Sequence, residues 1–165
     1  MKKLLLVAIM AVAGVAAAVA QPRAIGANIG YGIDVSYQHA LGEANMIDLA
    51  VNLPGFNGIG ATATYDWINP FGKEIPWSFK GDWNWYLGVG AGGGAYNLFW
   101  QTIYHPLSWY AGAVGHVGVE YQFWFPLQLS VDFRPNIGVY GYRNHVGYNV
   151  DGLFNGITIG VRYLF

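Results

Sequence analysis

From Ala24 onward the chain alternates with period two, and this constrains its fold more than any other feature. Ile25, Ala27, Ile29, Tyr31, Ile33, Val35 and Tyr37 are interleaved with Gly26, Asn28, Gly30, Gly32, Asp34, Ser36 and Gln38. The same contrast returns over Ile47 to Leu53, Ile59 to Trp67, Trp83 to Gly90, His116 to Phe123, Leu127 to Arg134 and Ile157 to Phe165. Successive side chains of a strand point to opposite faces, so this pattern makes strands with one apolar and one polar face. Nothing after residue 20 reads as an amphipathic helix of useful length, and the expected class is all-β.

Periodicity does not say which face turns inward, because a water-soluble barrel buries its apolar face and a membrane barrel exposes it. Composition decides. The chain is 54% hydrophobic and 17% aromatic but only 10% charged, against about 25% charged in ordinary soluble domains. The strands carry almost all their polar groups on one face and contain no lysine, the residue a soluble barrel would place outside. The apolar face is therefore expected against lipid and the polar face in the lumen. Beyond residue 20 no run approaches the roughly 18 to 20 apolar residues of a membrane helix. Trp67, Trp83, Trp85, Trp100, Trp109, the Phe123-Trp124-Phe125 run, Tyr163 and Phe165 crowd the strand ends, as interfacial aromatic girdles do.

A spanning strand takes about 9 to 11 residues. Breaks at Tyr31-Gly32, Leu41 to Ala44, Pro54 to Gly58, Ile68 to Asp82, Tyr96 to Ser108, Trp124 to Pro126 and Pro135 to Gly152 delimit eight strands. The expected fold is an eight-stranded antiparallel transmembrane β-barrel. The alternation runs unbroken through Tyr31-Gly32. A rival count makes Ala24 to Gln38 one strand and adds another at Ile137 to Tyr142, which inverts the sidedness of most intermediate connections.

Lys2 and Lys3, the apolar Leu4 to Val15 and the small-x-small Ala18-Val19-Ala20 together read as a secretory signal, so residues 1–20 are expected to be a signal peptide cleaved between Ala20 and Gln21. Residues 21–165 would form the barrel. Without Lys2 and Lys3, six basic and nine acidic residues remain, a net charge of -3. That offers no electrostatic footprint for nucleic acid. The chain has no cysteine, which excludes disulfides, thiol catalysis and cysteine-ligated metals.

The closing run Gly156-Ile-Thr-Ile-Gly-Val-Arg-Tyr-Leu-Phe165 resembles the terminal strand by which the outer-membrane assembly machinery recognises its barrel substrates, with Tyr163 and Phe165 as the aromatic assembly signal. Gly118 to Pro135 resembles the penultimate hairpin of small outer-membrane β-barrel proteins of the porin-like and OmpX-like kind. Ala24 to Gly32 and Trp83 to Gly90 are similar to earlier strands of that group. The resemblance implies an outer-membrane barrel of a Gram-negative-type cell, in contact with outer-membrane lipid and the barrel assembly machinery, and it carries over no catalytic residue. It also implies a tight periplasmic turn at Trp124 to Pro126 and an outer loop at Pro135 to Gly152, which favours the first strand count.

Gly88-Val-Gly-Ala-Gly-Gly93 matches the dinucleotide fingerprint G-x-G-x-x-G, but that fingerprint needs a following helix, and none is legible. No cofactor is expected. His39, His105, His116 and His145 lack close metal-ligand spacing, and no metal site is expected. Ser36, Ser78, Ser108 and Ser130 have no nearby histidine to suggest a triad. His116 and Glu120 share the inward parity four residues apart and fit a packed lumen better than acid-base catalysis. The inward set of Asp34, Asp48, Asp66, His116, Glu120, Asp132, Arg134 and Arg162 is expected to form a lumen charge network, since isolated charges in a narrow bore are costly. Arg162, deep in the last strand, is expected to matter more than Arg134, placed at a rim beside Pro135. The expected role is a plugged outer-membrane barrel, structural or engaged in surface interaction, and not an enzyme. A narrow pore for ions or small solutes is the alternative, and a lipid-modifying enzyme comes behind it. The Tyr-, Trp- and Asn-rich stretches Tyr96 to Ser108 and Pro135 to Gly152 would suit an extracellular partner.

Overall fold

The computed structural model describes residues 21–71, 80–100, 106–151 and 156–165. Its strands are β1 (Gln21–Ile29), β2 (Gly32–Ala40), β3 (Asn45–Pro54), β4 (Gly58–Pro70), β5 (Gly81–Tyr96), β6 (Ser108–Phe123), β7 (Leu127–Phe133), β8 (Asn136–Tyr142), β9 (His145–Asp151) and β10 (Ile157–Leu164). No helix occurs among the described residues. The signal segment, Ser78 and His105 lie outside them.

Every pairing is antiparallel. β1 to β6 pair in sequence order, β6 pairs with β7, β7 with β10, and β10 with β1, which closes the sheet on itself. β6 meets β7 through Val117↔Phe133 and β8 through Val114↔Asn136 in one continuous register. β7 and β8 are therefore a single stave interrupted at Arg134-Pro135, where proline supplies no N–H to the ladder. β9 and β10 follow one another as the last stave, β9 against β8 and β10 against β7, but without a continuous register. The ten segments make a closed eight-stranded antiparallel β-barrel.

The seven connections fall where the sequence breaks were read, with one correction. Pro135 to Gly152 is not a loop through its described part: β8 and β9 pair from Asn136↔Asp151 to Tyr142↔His145 around a two-residue turn at Arg143-Asn144. Its Tyr, Asn and Gly content looks like a loop, but the turn closes it into a hairpin. The structure has both the turn at Gly30-Tyr31 and the strand at Asn136–Tyr142. The count stays at eight because β8 only lengthens the seventh stave.

The antiparallel path gathers the chain's connections at two ends. The hairpin end carries the turns after β1 and β3, the segment between β5 and β6, and the β8–β9 tip. The turn end carries the connections after β2, β4 and β6, together with Gln21 and Phe165.

The two faces are opposite in polarity. Val35, Val89 and Val131 on the outer wall are 59%, 59% and 55% exposed, whereas Asp66, Glu120 and Asp132 in the lumen are fully buried. Odd-numbered residues face out from Ile25 through Ile137 and again from Ile157 to Phe165. A three-residue offset separates the β7–β10 register from the β8–β9 register. An odd offset swaps the faces of a strand, and in β9 it is Val146, Tyr148 and Val150 that stand exposed.

Candidate functional site

The lumen gathers the largest set of buried polar groups among the described residues, and all eight residues of the inferred charge network lie within it. They form one connected cluster. Arg162 from β10 sits at its centre, its Nε donating to Ser36 Oγ at 2.8 Å and its Nη1 to Ser130 Oγ at 2.6 Å. Its Nη2 lies 3.5 Å from Asp132 Oδ2 and 3.8 Å from Asp48 Oδ2. Side chains of β2, β3 and β7 thus converge across the bore on one guanidinium, whose planar fork is suited to several acceptors at once.

Asp132 ties this centre to β5 and β6. It accepts from the Tyr86 hydroxyl, from Ser130 Oγ at 2.7 Å, and faces His116 Nε2 at 3.2 Å. The other ring nitrogen of His116 faces Asp66 Oδ1 at 2.8 Å, and Thr64 Oγ1 donates to Asp66 Oδ2 at 2.9 Å. His116 is thus bracketed by two carboxylates, and a ring carrying both protons donates to each.

Arg134 corrects the expectation of a rim position. Its side chain is 10% exposed and reaches Asp34 Oδ2 at 3.5 Å and Asp48 Oδ1 at 3.3 Å. At the break in the ladder the Arg134 N–H still donates to the Gly156 carbonyl at 2.9 Å, and the even parity of the stave aims the side chain inward.

Toward the turn end, Glu120 collects donors from Gln128 at 2.6 Å, Gln122 at 2.9 Å and Asn84 at 3.0 Å. Its charge partner is Arg23, which also donates to Gln38. Sequence reasoning missed Arg23, because its odd number assigns it to the outer face. The β1–β2 register shifts between Pro22 and Ala24, so Arg23 is the extra residue of a β-bulge, and a bulge re-aims a side chain against the local alternation. Pro22 beside it was the one available signal. Tyr86 was also missed as a network member, although its even parity places it inward.

The connected network therefore holds five carboxylates, Asp34, Asp48, Asp66, Glu120 and Asp132, against the three guanidiniums of Arg23, Arg134 and Arg162. Ser36 and Ser130 both serve Arg162, and neither is recorded bonding to His116. Gly88 to Gly93 lies wholly inside β5. A Cβ at Gly88 would run into the Asp66 carboxylate, so that glycine makes room for the network. His39 bonds the Tyr37 hydroxyl at 2.9 Å, and His145 closes the β8–β9 turn. Tyr163 and Phe165 end the last stave on the outer wall, exposed, with their rings 5.5 Å apart edge to face.

The cluster separates two recesses. One, of 130 Å³, lies toward the hairpin end beside Tyr31, Asp34, Asn52 and Arg134; the other, of 330 Å³, lies toward the turn end beside Arg23, Asp82, Asn84 and Gln122. Comparison of the chain with known protein families, with characterised proteins and with solved structures finds no match.

Proposed function

We propose that this is a small outer-membrane β-barrel protein of the porin-like, OmpX-like kind, exported by cleavage between Ala20 and Gln21, with a plugged polar lumen and a structural or surface-interaction role. The carrying observation is the inversion of polarity: the wall is aliphatic and exposed while the lumen buries Asp66, Glu120, Asp132 and Arg162. In water that arrangement would waste the hydrophobic effect, which favours removing apolar area from water. In a bilayer the same wall meets acyl chains. The outer wall also carries aromatics toward both ends, with Trp67, Tyr163 and Phe165 toward the turn end and Trp109 and Tyr148 toward the hairpin end. Membrane barrels bear such belts at their interfaces.

The lumen supports a closed barrel. Eight strands leave a bore that side chains just fill, and here one connected network crosses it. The ties of Ser36 and Ser130 to Arg162 favour a non-catalytic interior. The exposed rings at Tyr163 and Phe165 suit recognition by the assembly machinery, and the β8–β9 hairpin, with Tyr148 91% exposed, would present a surface to an extracellular partner.

Planar-bilayer recording of the purified protein tests the reading, with membrane fractionation alongside. The protein should sediment with outer membranes and give no stable single-channel steps. Reproducible steps altered by Glu120→Gln or Asp132→Asn would replace the plugged barrel with a narrow pore, which the excess of carboxylates would make cation-selective. Altered lipid A in a deletion strain would point instead to an enzyme.

A further inference from the structure

We infer that the recess at the hairpin end of the lumen binds one neutral sugar ring. A buried water needs roughly 10–15 Å³ of such space, so a 130 Å³ recess has room for much more than a bridging water. Its lining also presents hydrogen-bonding capacity that the protein leaves unused. Asn52, Arg134 and Thr158 line this recess, and each carries a buried atom, Asn52 Oδ1, Arg134 Nε and Thr158 Oγ1, with no hydrogen-bond partner within the protein. They come from β3, from the break between β7 and β8, and from β10, so three separate staves bring residues with unmatched atoms to one space. Buried polar groups are nearly always satisfied, and three exceptions at one recess mark a place where a ligand supplies the partners.

The atoms define the ligand's chemistry. One accepts, one donates and one can do either, which is what a ring of hydroxyls answers, since each hydroxyl both donates and accepts. The local charge excludes an ion: Arg134 is matched within the lining by Asp34 at 3.5 Å, and its other partner is Asp48. Tyr31, Tyr96 and Tyr110 supply the apolar side, with the Tyr96 and Tyr110 ring centroids 4.9 Å apart and tilted by 32°. Aromatic walls with a few placed polar groups are the usual make-up of a small-molecule site, and flat rings match the C–H face of a pyranose. At Gly60 the Tyr110 hydroxyl and Asn52 Oδ1 already take the space a Cβ would need, so glycine there lets both side chains reach their places. The inference does not rest on the outer wall facing lipid, since recess and wall are opposite faces of the barrel.

The test uses the folded barrel in a zwitterionic detergent, because sugar-headed detergents would compete. Saturation-transfer NMR and calorimetry are run with D-glucose, D-galactose, D-mannose and N-acetyl-D-glucosamine, and with choline and inorganic phosphate as charged counter-probes. At least one sugar should bind saturably, with affinity falling about tenfold in Thr158→Val and in Asn52→Leu, the effect of losing one hydrogen bond. Tyr31→Ala at the mouth should weaken it as well, and heat-dependent gel mobility shows that each variant is folded. Thr158→Val changes no charge and almost no volume, so it carries the test if Asn52→Leu misfolds. A second arm compares the free sugar with the same sugar at the non-reducing end of an oligosaccharide. Tighter binding of the oligosaccharide identifies a glycan terminus as the source, and preference for the free sugar identifies a solute. Absence of binding by all four sugars, binding unchanged in Thr158→Val, or preference for choline or phosphate would overturn the inference.

Discussion

Arg162 shows how much one residue carries in a lumen with little water. Its five donors serve Ser36, Ser130, Asp132 and Asp48, and its side chain has no exposed surface. Removing one partner of such a group strands the others, a loss of about 3 to 5 kcal/mol. Arg162→Ala should therefore lower the urea midpoint and the heat-resistant gel mobility. Arg134→Ala should do nearly as much, because Asp34 and Asp48 both lean on it. Parallel urea titrations check this, and an unchanged midpoint for Arg134→Ala would restore the rim placement. His116 makes a sharper case. His116→Phe leaves Asp132 with Arg162, Ser130 and Tyr86, whereas Asp66 keeps Thr64 alone among its recorded partners. The variant should lose about 1 to 3 kcal/mol, and adding Asp66→Asn should recover part of that loss by removing the stranded charge. A double variant less stable than His116→Phe would mean that the cost lies elsewhere.

At the scale of the strand, the turns explain both what the sequence revealed and what it concealed. Ile29 stands opposite Ile33 across the first turn, and each later hairpin up to β7 likewise pairs odd with odd. One parity therefore runs through the turns, which is why alternation alone did not show the chain reversing at Gly30-Tyr31. The tight turn after β3 carries a local cost. Gly55 and Phe56 both have positive φ, at 55° each, and Asn57 N–H closes on the Pro54 carbonyl at 3.2 Å. Glycine tolerates that conformation, but a bulky exposed phenylalanine does not. Phe56→Asn should stabilise the barrel by about 1 kcal/mol, read as a higher urea midpoint. A lower midpoint would show that the ring has a packing role worth more than the backbone strain. The bulge at Arg23 and the odd offset before β10 are two further places where an element departs from its pattern. Both change which face a residue takes; the bulge leaves no mark in hydrophobicity, whereas the offset shows as Val146, Tyr148 and Val150 at even positions before Ile157, Ile159 and Val161 at odd ones.

For the whole molecule, the inverted polarity makes two expectations. Val89 and Leu129 lie on the exposed wall among aliphatic neighbours, and with lipid outside, Val89→Arg or Leu129→Arg should cost about 2 to 4 kcal/mol of stability in bilayers. Folding yields in liposomes equal to those of the parent protein would refute a lipid-facing wall. The absence of cysteine makes sidedness clean to read. Asn144 at the hairpin tip and Glu43 at the turn end are both exposed on opposite ends of the barrel. On intact cells an impermeant thiol reagent should label Asn144→Cys and spare Glu43→Cys; labelling of the second alone would turn the barrel over. The sequence by itself determined the all-β class, the count of eight staves and the contrast of the two faces, because alternation and composition are local properties that any stretch of chain displays. It did not determine the placing of Arg23 and Arg134, the β8–β9 hairpin or the convergence of Asn52, Arg134 and Thr158 on one recess. Those follow from register and closure, which bring together residues far apart in sequence and depend on bulges and offsets that only the paired strands define.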